Sequence, residues 1–146
     1  MTLRAARGVI ITAPAVYPLR GSIGVAYQAR GAVCPNGSYV SGIGALLVTA
    51  DAGKKLSSAW CARMDGGGAP IVTTTDGSSE PIVWAVGAEG DDRLHGFRAD
   101  NGEELYNGAA SGDGMSGLRH LATILVAGGR FYIAGDGRIF AFQLPK

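Results

Sequence analysis

Short apolar runs separated by Gly- and Asp-containing turns recur along the whole chain. The run at 82–86, Ile-Val-Trp-Ala-Val, is apolar at every position, which is typical of a strand covered on both faces. β-Branched and aromatic residues dominate the runs, and Gly-Gly at 128–129 and Asp-Gly at 136–137 have the composition of two-residue hairpin turns. No segment keeps a sustained helical period. The pattern therefore predicts a chain of short antiparallel strands.

The runs fall into three groups with the same order of elements: strand, hairpin, strand, loop, strand, turn, strand. The groups begin at Ala13, Ala69 and Ala122, and the third group stops after its third strand. The segments 30–44 and 108–119 are predicted to be long loops. The predicted strands are 13–17, 23–28, 45–50 and 57–62, then 69–74, 81–87, 93–98 and 104–107, then 122–127, 130–134 and 138–143.

Four antiparallel strands in a repeat of about 40–50 residues are the signature of a propeller blade. We therefore predict an all-β fold, a partial β-propeller of about three consecutive four-stranded antiparallel blades, the last incomplete. Residues 1–146 form one segment, with blades at 12–64 and 68–110 and the incomplete blade at 120–144. Because a closed propeller has about four to eight blades, this segment should leave sheet faces open and be prone to oligomerise. The expected core is Val16, Val25, Leu47, Ile71, Val83, Trp84, Phe97, Ile124, Tyr132, Ile133 and Phe140.

The turn between the third and fourth strands of a group carries the most specific motif. In the second group it reads Phe-Arg-Ala-Asp-Asn-Gly-Glu-Glu-Leu-Tyr over residues 97–106. This segment resembles the repeat of the pyrroloquinoline quinone (PQQ)-type, quinoprotein dehydrogenase-like propellers, in which an aromatic precedes Ala-x-Asp-x-x-Thr-Gly-Lys/Glu and a Trp follows. The first group has a looser copy, Ala-Asp-Ala-Gly-Lys at 50–54 with Trp60. The resemblance implies that the chain contains C-terminal blades of such a propeller.

In blades of this family the Asp caps the turn, the Gly takes a left-handed conformation and the later aromatic docks onto the next blade. The resemblance assigns these roles to Asp51, Gly53 and Trp60 in the first copy, and to Asp100, Gly102 and Tyr106 in the second. Asn101 and Tyr106 depart from the Thr and Trp of the family pattern. The docking expected of the second copy is therefore weaker.

The function that the resemblance implies is a non-catalytic scaffold or binding module in a periplasmic or extracellular protein. The alternative is a C-terminal fragment of a PQQ-dependent dehydrogenase whose cofactor ligands lie upstream, so that PQQ and Ca²⁺ would belong to the full-length parent. The expected partners are the remaining propeller blades and a protein or glycan. An enzymatic role for this segment alone is not favoured, and no catalytic, cofactor-binding or metal-binding residue is assigned.

Charge and hydropathy narrow the range of partners. Lys and Arg number 13 against 12 Asp and Glu, a net charge of +1 without a basic stripe, so nucleic acid is not an expected partner. No apolar run approaches the ~20 residues that span a bilayer, and the apolar run at 9–11 is too short for a signal peptide. The 24 glycines are scattered between the apolar runs, which suits a chain with many tight turns.

The candidate catalytic and metal-binding groups lack the spacing that their chemistry requires. Asp113, Ser116 and His120 are too close in sequence for a nucleophile, a base and an orienting acid, which normally come from separate elements. His95 and His120 do not have the spacing of a zinc site, and the acidic turn at 89–92 is too short for an EF-hand loop. We interpret them as loop and turn residues, with His95 packed in a strand.

The two cysteines, Cys34 and Cys61, permit one intramolecular pairing. Cys34 is predicted in the long loop after the second strand and Cys61 on the fourth strand, and the loop is long enough to reach across the blade. A disulfide there contributes about 3 kcal/mol in the chain-entropy estimate. The alternative is two reduced, buried cysteines, which a cytosolic protein would favour. The family resemblance favours secretion and with it the disulfide.

Overall fold

Antiparallel strands make up all the regular secondary structure of the described residues, 2–49 and 55–143 of a computed structural model. The first sheet contains β1 (Ala15–Leu19), β2 (Ser22–Val33), β3 (Tyr39–Thr49) and β4 (Leu56–Arg63). The second contains β5 (Ile71–Thr73), β6 (Ile82–Val86), β7 (Leu94–Arg98) and β8 (Glu104–Tyr106), and the third β9 (Ile124–Ala127), β10 (Arg130–Gly135) and β11 (Arg138–Phe142). Each sheet keeps its strands in chain order. The predictions of an all-β chain and of three antiparallel sheets are confirmed.

The three sheets stack face to face in chain order. One face of the first sheet packs on the second through a cluster that includes Tyr17, Ile43, Trp60, Val83 and Phe97. A second cluster, which includes Trp84, Leu94, Leu118, Phe131 and Ile133, fills the space between the second and third sheets. The second sheet is thus covered on both faces, which explains the unbroken apolar run of β6.

The segment 30–44 is not a loop, so that prediction was wrong. β2 and β3 continue to Val33 and Tyr39 as one long hairpin, with a register shift between Ala29 and Ala32. The hairpin bends back over the outer face of the first sheet, because Ser58 Oγ on β4 donates a 2.6 Å hydrogen bond to the carbonyl oxygen of Val33. Gly31 and Gly42, with φ values of +76° and +145°, lie at this register shift and adopt the backbone conformations that it requires.

The N-terminal segment 5–8 pairs with the bent end of β2. The Val33 amide donates to the Ala5 carbonyl oxygen at 2.8 Å, and the Arg7 amide donates to the Gly31 carbonyl oxygen at 2.9 Å. We call residues 5–8 and 30–40 together the cap. Beneath the cap, a third cluster joins Tyr27, Ala29, Ala32 and neighbouring alanines. One outer face of the stack is therefore partly covered by the chain's own N-terminal third.

One residue of the predicted core, Val16, lies on the exposed face of β1. Val16 is 64% exposed, whereas its neighbour Tyr17 is 1% exposed and faces the second sheet. Both are apolar, so the alternation of β1 does not tell which face is buried. Five of the predicted core side chains are buried, namely Val83, Trp84, Phe97, Ile124 and Ile133, and five are half-buried, namely Val25, Leu47, Ile71, Tyr132 and Phe140.

Candidate functional site

Trp60 joins the first sheet to the turn between β7 and β8 of the second. Its indole N–H donates a 2.7 Å hydrogen bond to the Ala99 carbonyl oxygen, which also accepts a 2.9 Å bond from the Tyr17 hydroxyl. Gly102, with a φ of +76°, lies under the indole, and a Cβ there would come within 2.6 Å of Trp60 Cε3. Gly102 is therefore required both for the left-handed turn and for the close approach of the ring.

Asn101, not Asp100, supplies the side-chain cap of this turn. Asn101 Oδ1 accepts a 2.9 Å hydrogen bond from the Glu103 amide, and within the described residues Asp100 accepts none. The turn is closed by the Gly102 amide, which donates to the Arg98 carbonyl oxygen at 2.8 Å. The capping role that the resemblance assigned to Asp100 is therefore performed by its neighbour. The corresponding residues of the first copy, Asp51 and Gly53, lie outside the described residues.

At the interface between the second and third sheets, Tyr106 and Trp84 share the aromatic contacts. Tyr106 packs on Trp84, with ring centroids 6.2 Å apart, and Trp84 contacts Phe131 of the third sheet at 4.6 Å. The Tyr106 hydroxyl donates a 2.7 Å hydrogen bond to Asp113 Oδ2 in the segment that leads to the third sheet. Burial and this bond to a carboxylate raise the pKa of Tyr106 to about 12.

Cys34 and Cys61 form a disulfide, with Cα atoms 5.2 Å apart. Cys34 lies at the tight turn between β2 and β3 rather than in a long loop: its amide donates to the Ser38 carbonyl oxygen, and its own carbonyl oxygen accepts from the Gly37 amide, both at 2.9 Å. The disulfide fastens the cap to β4, the outermost strand of the first sheet. Together with the Ser58 bond to Val33, it fixes the cap against that strand.

A cleft of about 600 Å³ lies at the end of the stack where the connections between sheets meet the β2–β3 and β6–β7 connections. Because strands alternate in direction, the connections after every second strand and those between sheets lie at the same end. We call this space the end cleft. Its lining combines residues of the N-terminal segment, the first sheet, both inter-sheet connections and the β6–β7 connection: Gly8, Val9, Ile11, Gln28, Arg30, Ser41, Asp65, Gly66, Gly67, Ala88, Glu89 and His120.

No protein-family model, curated protein or solved structure matches this chain. Any assignment of function therefore rests on the geometry and chemistry of the chain itself. Among the described residues, no helix is long and apolar enough to cross a membrane.

The end cleft contains charges of both signs and an apolar rim. His120 Nδ1 lies 3.0 Å from Glu89 Oε2, and the hydrogen bond lowers the pKa of Glu89. Gln28 is buried in the wall and donates from Nε2 to the Gly66 carbonyl oxygen at 3.3 Å. Arg30 and Asp65 are exposed, so their charges are accessible to a ligand. A second cleft of about 870 Å³ lies at the other end and includes Arg20 in its lining.

His95 lies between two carboxylates on the second sheet, a cluster that sequence reasoning missed. Its Nε2 is 2.9 Å from Asp91 Oδ2 and its Nδ1 is 3.2 Å from Glu104 Oε1. The ring stacks on Phe97, with 6.1 Å between centroids, and His95 is only 5% exposed. The spacing of Asp91 and His95 was visible in the sequence, but the pairing of β7 with β8 that brings in Glu104 was not. This cluster links β7 to β8 and does not line either of the two clefts described here.

The three residues of the rejected triad are not brought together. Asp113 accepts a hydrogen bond from Tyr106, His120 pairs with Glu89, and Ser116 is exposed. Within the described residues, no group of three or more His, Cys, Asp or Glu side chains has the geometry to hold a metal ion.

Proposed function

We propose that this chain is a non-catalytic segment of a PQQ-like β-propeller that acts as a scaffold and binding module in an exported protein. The observation that supports this most strongly is the contact of Trp60 with Ala99 and Gly102, in which an aromatic of one sheet's outer strand docks onto the turn of the next sheet. Face-to-face stacking of three sheets in chain order agrees with a propeller arrangement.

The disulfide supports export. Protein disulfides persist in oxidising compartments such as the periplasm and the extracellular space, and they are rare in the cytosol. The Cys34–Cys61 disulfide also fastens the cap, and the cap residues Gly8 and Arg30 line the end cleft. Loss of the disulfide would therefore free part of the cleft wall.

The end cleft is the surface we assign to binding. Its rim includes the exposed apolar side chains of Val9 and Ile11, and its walls carry Arg30, Asp65 and the Glu89–His120 pair. Such a mixture of apolar contacts and both charge signs suits an extended polypeptide segment that has apolar side chains and charges of both signs. A protein partner is therefore favoured over a glycan.

Selection from a displayed random-peptide library tests this assignment. Peptides that bind the immobilised protein are remeasured by fluorescence anisotropy against wild type and Arg30→Glu. The control is Arg20→Glu, which changes the same charge in the cleft at the other end. We expect enrichment of peptides that combine apolar side chains with a carboxylate that pairs with Arg30. Their affinity should fall at least tenfold with Arg30→Glu and less than twofold with Arg20→Glu. No enrichment, or equal losses in both variants, would contradict the assignment.

A further inference from the structure

Gln28 occupies an apolar position on the face of the first sheet that packs on the second. It pairs with Ile43 on β3, which belongs to the cluster between these two sheets, and residues paired across strands point to the same face. Gln28 is only 6% exposed. Burial of a side-chain amide is unfavourable unless hydrogen bonds replace those lost to water, so an apolar residue would be expected at this position.

Only part of the hydrogen-bonding capacity of this amide is used within the described residues. A glutamine amide has two N–H donors and one acceptor oxygen. Its Nε2 donates to the Gly66 carbonyl oxygen at 3.3 Å, whereas its Oε1 accepts no hydrogen bond from the described residues. The unpaired side-chain atoms that are sealed from solvent are Thr12 Oγ1 and Asp92 Oδ1, so Gln28 Oε1 is not sealed. Because Gln28 lines the end cleft, its free oxygen is accessible from that cleft.

The connection beside Gln28 leaves the amide uncovered. Gly66 and Gly67 both line the cleft, so this part of the wall has no side chains. A Cβ at Gly67 would come within 3.0 Å of Gln28 Nε2 and 3.2 Å of its Oε1. A Cβ at Gly66 would come within 2.4 Å of the Gly87 carbonyl oxygen. The two glycines therefore leave room for another main chain to approach the amide.

We propose that Gln28 hydrogen-bonds a main-chain amide of the polypeptide segment bound in the end cleft, an inference that rests on the proposed function. Its free oxygen accepts from a main-chain N–H of that segment, and its second N–H donates to a main-chain carbonyl oxygen. A neutral group that both donates and accepts matches a peptide unit, whereas a carboxylate can use only the donor. The charged residues of the cleft select side chains, and Gln28 fixes the register of the main chain.

An ester scan of a bound peptide tests this contact. The probe is the tightest peptide from the selection described above, labelled with fluorescein, together with analogues in which one main-chain amide at a time is an ester. An ester has no N–H and a weaker acceptor oxygen, and the side chains stay the same. Fluorescence anisotropy measures each affinity for wild type, Gln28→Met and Gln143→Met. Gln143 is the matched control, since it is the only other glutamine, is exposed and lies outside the cleft.

We expect one ester analogue to bind wild type and Gln143→Met about fivefold or more weakly than the parent peptide, because a hydrogen bond to Gln28 is lost. In Gln28→Met the same ester should change the affinity by less than about twofold, since the partner of that amide is already absent. A second measurement needs no change at Gln28. The side-chain N–H signals of Gln28 in ¹⁵N-labelled wild type, distinguished from those of Gln143 by Gln143→Met, should shift with the parent peptide and not with the ester analogue at equal saturation.

The outcomes separate the role of Gln28 from the proposed function. Ester effects of equal size in wild type and Gln28→Met, or no ester effect at any position, overturn the role of Gln28. If the affinity of the same peptide still falls with Arg30→Glu, the proposed binding function stands. A peptide whose affinity depends on Gln28 but not on Arg30 supports the contact and contradicts the charge-based assignment of the cleft. A selection that yields no peptide overturns both.

Discussion

The outer faces of the first and third sheets differ in how far the rest of the chain covers them. At the first sheet, a bent hairpin and the N-terminal segment cover part of the face and are fastened by the disulfide. At the third sheet, side chains of the same apolar character stand uncovered, with Leu125 and Ile139 most exposed. Covering an outer sheet face thus takes additional chain, and where that chain is lacking the apolar side chains of the face stay exposed.

The cap depends on small residues that let it approach closely. Gly44 lies opposite Tyr27 on the outer face, and a Cβ at Gly44 would come within 2.5 Å of the Tyr27 ring. The Tyr27 hydroxyl donates a 2.7 Å hydrogen bond to the Ala5 carbonyl oxygen, and burial raises its pKa. Tyr27 thus connects the first sheet to the N-terminal part of the cap.

We expect the largest difference in stability between the two outer faces when one tyrosine on each face, Tyr27 or Tyr132, is replaced. Tyr27→Ala removes a 2% exposed ring beneath the cap and should lower the free energy of unfolding by about 3–5 kcal/mol, the range for large aromatic truncations. Tyr132→Ala, at a half-buried position on the open outer face of the third sheet, should cost less than about half of that. Urea unfolding followed by tryptophan fluorescence measures both. Equal losses would show that the two faces are equally covered.

Removal of the disulfide should have the second largest effect on stability. In Cys34→Ser/Cys61→Ser the cap loses its covalent link to β4, and stability should fall by about 3 kcal/mol in the chain-entropy estimate. The same urea midpoint should be reached by the wild type under reducing conditions. Hydrogen exchange by mass spectrometry should then rise more in 5–8 and 30–40 than in 124–142, because the cap also opens locally. An equal rise in all these segments would mean that the disulfide supports the whole stack and not one end of it.

Two glycine substitutions test the packing between the first two sheets. This interface is buried, so its stability effects can be compared with those at the two outer faces. Gly102→Ala places a methyl group against Trp60 and should destabilise by about 2–4 kcal/mol, from overpacking together with left-handed strain. Gly137→Ala, at a φ of +65° with open space around it, should cost only the strain of about 1–2 kcal/mol. The difference between the two urea midpoints isolates the docking contact. No difference would argue against a packed Trp60.

The smallest effect concerns alkaline pH. Burial raises the pKa of Tyr17 to about 12, with Asp100 nearby adding to the shift. Because the folded state holds this proton more tightly than the unfolded chain, its contribution is complete below pH ~10 and is lost as pH rises toward about 12. Urea midpoints should therefore fall between pH 10 and 12, and the decline should be shallower in Tyr17→Phe. An identical decline in both proteins would contradict the assignment.

The sequence contains enough information for the strands but not for the cap. Alternation and turn residues located the strands within a few residues, except where β2 and β3 run on through 30–44. There, Gly31, Gly37 and Gly42 interrupt the apolar pattern, and the pairing that continues across them is non-local. Val16 and Tyr17 show a second limit, since two adjacent apolar side chains give no signal for the buried face.

The candidate site was predicted in part. The resemblance directed attention to Trp60 and Gly102, and the geometry of the turn explains why both types of residue occur there. Asp100 was expected to cap the turn because of its place in the motif, but Asn101 is the side chain directed at the Glu103 amide. The end cleft gathers residues from 8 to 120 and requires the full stack, so no local pattern could indicate it.

The stacking of the first two sheets depends on the contact of Trp60 with the second sheet, and nuclear Overhauser spectroscopy tests this contact most directly. We expect the Trp60 indole proton to exchange slowly with solvent, because it is bonded to the Ala99 carbonyl oxygen. We also expect cross-peaks from the indole ring to the α-protons of Gly102. An indole proton that exchanges within minutes, with no cross-peak to residues 99–102, would show that the first two sheets do not stack as described.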